Sequence, residues 1–99
     1  MAEHATVLDV SRYFPAAGRR DELVEAMHTL AAAAARAQGC FGSQVCVSDR
    51  EPDALVAVSR WESAEAMRTF ADSPDFVGER ERLMPLLGRP AEREHLSSA

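Results

Sequence analysis

The feature that most constrains this chain is an apolar strand that ends in the only tryptophan and runs at once into two helix starts. In Ser59–Phe76, SRWESAEAMRTFADSPDF, Trp61 closes the run ALVAVSRW. Ser63 then stands where a helix cap accepts from backbone N–H groups, and Glu65 falls in the first turn, where the helix dipole favours a carboxylate. Ser73 repeats the device, with Pro74 at the first helical position. The second helix is therefore expected in two pieces.

The remaining segments complete a pattern around this one. Ala5 to Phe14, ATVLDVSRYF, is rich in β-branched and aromatic residues and precedes Pro15, so it reads as strand one. PAAG forms a loop with Gly18 as its punctuation. From Arg19 to Gln38 the residues Leu23, Ala26, Met27, Leu30, Ala34 and Ala37 recur at helical spacing, and Gly39 is a natural stop. Five consecutive alanines in this helix combine high propensity with a low profile for close packing. Cys40 to Ser48 reads as strand two, DREPD as a turn, and Ala54 to Trp61 as strand three. Ala66, Met67 and Phe70 make the apolar face of the helix after Ser63; Phe76, Val77, Leu83 and Met84 belong to the next, which Pro85 ends or kinks. Gly88 and Pro90 mark a turn, Ala91 to Leu96 a last strand, and SSA a fraying tail. The order βαββαβ, with the second helix in two pieces, is the ferredoxin-like α+β unit: an antiparallel sheet with helices on one face.

Ninety-nine residues, 46% hydrophobic and 27% charged, suffice for one core, so a single domain over residues 1–99 with its core at about 5–96 is expected. Helices cover only one face of such a sheet, yet both faces are apolar. Leu55, Ala57 and Trp61 point one way and Val56 and Val58 the other; Val7 and Tyr13 oppose Leu8, Val10 and Phe14. An antiparallel sheet open to water alternates more cleanly. The second face is therefore expected to pack on the sheet of a second copy, as a homodimer, with an untidy monomer as the alternative.

Several function classes are excluded. The net charge of −5 lacks the basic face of a nucleic-acid binder. MAEHATVLDV carries an acid at position 3 and no long apolar run, and Leu30 to Ala35 is too short to span a bilayer, so no membrane association and a cytoplasmic location are expected. Cys40 and Cys46 lie six residues apart in one strand, about 20 Å, whereas a disulfide needs Cα atoms within about 7 Å; both read as free thiols that share no metal ion. His4, His28 and His95 are dispersed and form no metal site, and His28 sits at the margin of its helix stripe or beyond it, towards solvent. No phosphate-binding glycine loop, zinc-ligand spacing or serine–histidine–aspartate set is present.

RWES followed by AEAMRTFADSPDF resembles the signature of the antibiotic biosynthesis monooxygenase family, the dimeric α+β barrels. The FPAAGRRDEL loop and the QGCFGSQV turn resemble it too, and the likeness covers about residues 5 to 96. It implies two sheets packed face to face and a pocket in each subunit, between sheet and helices, for flat oxygenated aromatics. The best-known members oxidise hydroxyanthrone-like polyketides to quinones with O2 and no cofactor; others oxidise quinols, cleave haem or isomerise small signalling molecules. The tryptophan implicated in the polyketide oxygenases corresponds to Trp61. Their asparagine corresponds to Ala57 and their tyrosine to Met67, neither of which handles a proton. The iron-ligating histidine of the haem-degrading branch corresponds to Arg80, a porphyrin-distorting tryptophan to Phe70, and an asparagine of strand one to about Ser11. An arginine stays protonated and is no ordinary iron ligand, which disfavours haem chemistry.

With the family's strand facing, Val7, Asp9, Ser11 and Tyr13 look into the pocket. Desolvation there would suit Asp9 to proton transfer near neutral pH, unless an arginine such as Arg12 or Arg60 pairs with it. Ser11, Ser59 and Tyr13 are donors to a substrate oxygen or ordinary sheet polars; Trp61 is a pocket wall with a role or a core plug; Met67, Phe70 and Phe76 are lining or core. The expected activity is a cofactor-independent monooxygenase acting with O2 on a phenolic, quinol-type or polyketide aromatic, with Trp61 and Asp9 as its catalytic residues. The alternatives are a non-catalytic binding or accessory protein using the same pocket, and isomerase- or cyclase-like chemistry.

Overall fold

A computed structural model of the chain describes residues 7–99. Its elements run β1 (Val7–Pro15), α1 (Arg20–Ala35), β2 (Cys40–Val47), β3 (Leu55–Trp61), α2 (Ala64–Ala71), α3 (Pro74–Leu83), a 3₁₀ turn (Met84–Leu86) and β4 (Leu87–Ser97). The strands form one antiparallel four-stranded sheet in the order β2-β3-β1-β4. This is the ferredoxin-like α+β arrangement that the sequence pattern indicates. Of the expected strand one, Ala5 and Thr6 lie outside the described residues.

The helix starts form as their serines dictate. Ser63 Oγ accepts from the Ala66 N–H at 3.1 Å. Ser73 Oγ accepts from the Phe76 N–H at 3.2 Å and donates to the Phe70 carbonyl at 2.6 Å. One hydroxyl thus ties the end of α2 to the start of α3 and sets Phe70 beside Phe76. Pro85 lies within the 3₁₀ turn that follows α3.

Two boundaries differ from expectation by more than one residue. Helix α1 ends at Ala35, not Gln38, because the chain must already turn towards β2. Gly39 makes that turn at φ +86°, and a Cβ there would lie 2.7 Å from the Cβ of Ala66, so only glycine admits α2 this close. Strand β4 is longer than Ala91–Leu96: it begins at Leu87 and carries Gly88 and Pro90 within it. An edge strand tolerates proline, since one row of its N–H groups needs no partner. The register against β1 shifts twice between Arg12 and Pro15, which absorbs the irregularity. At Gly88 a Cβ would stand 3.1 Å from the Pro15 carbonyl oxygen, so the backbones touch there.

The core lies between the sheet and the helices. One cluster joins Tyr13, Leu23, Met27, Leu30, Leu55, Leu83 and Leu86; the other joins Val7, Ala34, Trp61 and Met67. Phe70 packs against both. The inward set of strand residues is the expected one, because directly opposed residues share a face: Val7 with Trp61, Ser11 with Ala57, Tyr13 with Leu55. On the other face Leu8, Val10 and Val58 are half-buried and Leu96 is exposed. Phe14 is buried there beneath the Arg89 guanidinium, 3.7 Å from its ring centroid. No described helix is long and apolar enough to cross a membrane.

Candidate functional site

Strands β1 and β3 are central, so side chains at their midpoints look into the space under α1. Low roof residues, Ala31 and Ala34 from the alanine run, leave a cavity of about 40 Å³ above the sheet. Asp9, Ser11 and Tyr13 from β1 line it, as do Ala57, Ser59 and Trp61 from β3 and Phe70 and Phe76 from the helices. Eight of the ten residues singled out from the sequence are therefore brought to one place. Met67 is buried in the core cluster with Trp61 and does not line the cavity. Arg80 lines a neighbouring, larger cleft of about 320 Å³, together with Ser11, Tyr13, Phe76 and Arg93. Those four residues also line the cavity, so they form a partition between the small space and the larger one.

One wall is aromatic. Trp61 stacks on Phe70 at 5.5 Å between centroids, and Phe70 meets Phe76 edge-on at the same separation. Trp61 is 1% exposed. Its indole N–H donates to Ser59 Oγ at 2.8 Å, which fixes the ring plane along the wall.

The opposite edge is polar and charged. Asp9 is not paired with Arg12 or Arg60. Arg12 reaches Glu51 across the far face, and Arg60 donates to the Phe41 carbonyl. The partner of Asp9 is Arg93 of β4, whose Nε donates to Oδ1 at 3.1 Å and whose Nη2 donates to Oδ2 at 2.7 Å. His95 Nε2 lies 3.5 Å from Oδ1. The sheet register explains the choice: Asp9 is opposite His95 and Ser11 opposite Arg93, so both side chains share the inward face with the carboxylate. The hydrogen bond to Asp9 holds the Arg93 proton more firmly than usual. The Arg93 guanidinium also lies 5.5 Å from the Phe76 ring centroid. Burial raises the pKa of the Tyr13 phenol above its ordinary value; a hydrogen bond with Ser11 and the charge of Arg93 oppose the shift. Tyr13 is thus a neutral donor at physiological pH.

Arg93 is the charged lining residue that sequence reasoning missed. AEREHL has weak strand composition, and its alternation shows only when it is placed against β1: Arg93 and His95 then fall beside Asp9 and Ser11, with Glu92, Glu94 and Leu96 on the other face. Ser43 of β2 is a second addition to the lining. Both cysteines are free; burial pushes the Cys40 thiol up, away from the reactive thiolate. Among the described residues no group of three or more histidine, cysteine, aspartate or glutamate side chains is placed to hold a metal ion.

A split βαββαβ sheet with an aromatic-walled cavity between sheet and helices defines the class, and the sequence assigns the family within it. The chain belongs to the antibiotic biosynthesis monooxygenase family, whose model matches residues 7–80. Rv0793 from Mycobacterium tuberculosis superimposes with a TM-score of 0.86 at 22% identity, over 96% of each chain. A conserved protein from Methanosarcina mazei Go1 gives 0.88 at 15% identity, over 96% of this chain and 94% of that one. A mutant of SnoaB, a cofactor-independent oxygenase from Streptomyces nogalater, gives 0.82 at 20% identity, over 96% and 94% of the two chains. At such identities the likeness is one of fold. No curated protein matches the sequence.

Proposed function

We propose that this protein is a cofactor-independent monooxygenase that oxidises a phenolic, quinol-type or polyketide aromatic with O2. The observation that carries the reading is the division of one cavity into an aromatic wall, Trp61–Phe70–Phe76, and a facing polar edge, Asp9–Arg93 with Ser11 and Tyr13. In such a reaction a methylene between aryl rings becomes a ketone. O2 takes the four electrons released; one oxygen atom enters the product and the other leaves as water. The substrate supplies the electrons once it is an electron-rich anion. The protein has to hold the ring, exclude water, and accept a proton next to a group that stabilises the anion.

The residues divide these tasks. Asp9 is the proton acceptor, and the Arg93 guanidinium beside it stabilises the anion that forms. Tyr13, kept neutral by burial, donates to a ring oxygen. Trp61, held by Ser59, is the flat surface on which the substrate lies. Ala57 and Met67 offer no proton-handling group, so this work falls on the β1–β4 pair instead. The cavity of about 40 Å³ holds a few waters, whereas small-molecule pockets measure about 300–1,000 Å³. Admission of a ring therefore joins cavity and cleft by moving the partition of Phe76 and Arg93.

The half-buried outer face of Leu8, Val10 and Val58, with exposed Leu96, supports a homodimer through that face. Sedimentation of the purified protein tests it, with Val10→Glu expected to yield monomer.

Oxygen uptake by metal-free protein against hydroxyanthrones and hydroquinones tests the activity. Uptake above the spontaneous rate, slowed by Asp9→Asn and by Trp61→Phe, is the expected result. A second reading, a binding protein, is favoured by the one fact that Asp9 already carries a two-point arginine partner. Ligand-dependent rises in melting temperature without any uptake would select it.

A further inference from the structure

The geometry points to an anion subsite at the mouth of the site: Arg80 and Arg93 together take the carboxylate of an aromatic acid whose ring lies in the cavity. This rests on the aromatic-binding reading of that cavity and adds the charge of the substrate. The cleft that both arginines line is lined by no acidic residue, although the chain as a whole carries a net charge of −5. The charges are segregated along the path. Asp9 lines the small cavity and not the cleft, while Arg80 lines the cleft and not the cavity.

Each arginine has donors to give. Arg93 meets Asp9 with its Nε and Nη2 edge, which leaves the Nη1 and outer Nη2 N–H groups directed elsewhere. Arg80 makes no ion pair or side-chain hydrogen bond among the described residues, yet it lies close enough to the Tyr13 phenol to favour its ionisation, as Arg93 does. Both arginines and the phenol thus line one cleft. The rest of the mouth, Leu83, Met84, Pro90 and Ala91, is apolar. That combination suits a carboxylate carried on a ring or short alkyl arm better than a fully hydrated phosphate.

The test uses the single tryptophan, Trp61, whose fluorescence reports on the cavity. Two probes are titrated into the wild-type protein: a dihydroxyanthraquinone with a ring carboxylate, and the same ring with a carboxamide. The carboxylate is expected to bind about tenfold tighter or more at low salt, a hydrogen-bonded charge pair being worth about that much. Added salt narrows the gap. Arg80→Gln, at an exposed position with no ion pair among the described residues, is expected to weaken the carboxylate far more than the carboxamide and so remove most of the difference. Equal affinities, or a variant that weakens both probes alike, would overturn the subsite. A matching hydroxyanthrone carboxylate is then supplied with O2. A carboxylate preference without oxygen uptake upholds the subsite and overturns the oxygenase reading alone. Binding of neither probe overturns both.

Discussion

The two ends of the candidate site are built differently. At the Trp61 end, central strands and α2 pack closely: Trp61, Val7 and Met67 are all buried. At the Arg93 end, the wall is an edge strand whose residues from Gly88 onward are exposed, facing a helix with an exposed Arg80. The first end derives its stability from apolar area, and the second from the backbone pairing of β4 with β1, to which the side chains add the Asp9–Arg93 ion pair and the Arg93–Phe76 contact. On the proposed function, the exposed end is the one whose wall would move to admit a ring.

Substitutions can break this contrast. The largest effect is expected for Trp61→Ala, which empties the buried end and should cost about 3–5 kcal/mol in chemical denaturation. Arg93→Gln, at the exposed end, is expected to cost only about 1 kcal/mol, because the guanidinium is partly hydrated. Equal losses would erase the distinction. The same Arg93 variant should nevertheless reduce oxygen uptake more than it reduces stability, since Asp9 then faces the substrate without its cation. Ser73→Ala, which loosens the joint between Phe70 and Phe76, should lower stability by about 1 kcal/mol. Its smaller sibling is Glu51→Gln: the exposed contacts of Glu51 with Arg12 and Arg89 should contribute under about 1 kcal/mol.

A pH series sharpens the comparison. Tyr13 belongs to the buried cluster but faces the larger cleft, and it is the only tyrosine. Its native pKa is raised, so the unfolded chain ionises first. The stability it contributes is fully present below about pH 10 and is lost as pH rises through the native value. All eleven basic side chains are arginine, so lysine titration does not obscure this limb. Tyr13→Phe should flatten it, with tyrosinate absorbance in the wild type marking the same transition.

Much of the fold was legible because its signals are local. The serine caps at Ser63 and Ser73, the alanine-rich stripe of α1 and the alternation of β1 and β3 each act within a few residues, and each forms as read. The inward facing of Asp9, Ser11 and Tyr13 followed from that alternation once the family's strand facing was adopted. What was misread was the start of β4, where Gly88 and Pro90 resemble a turn; Ala91 to Leu96 forms a strand as expected. The conformation of its first residues is imposed by pairing with β1, not by their own propensity.

The order of elements, the two-part second helix and the sets of strand residues that share a face could be read from the chain alone, because periodicity and capping are properties of neighbours along it. Only the tertiary structure decided that Asp9 pairs with Arg93, 84 residues away, and that Arg80 shares a cleft with it. The antiparallel register of β4 sets that pairing, and a charge has no sequence signature for the partner that a distant strand brings to it.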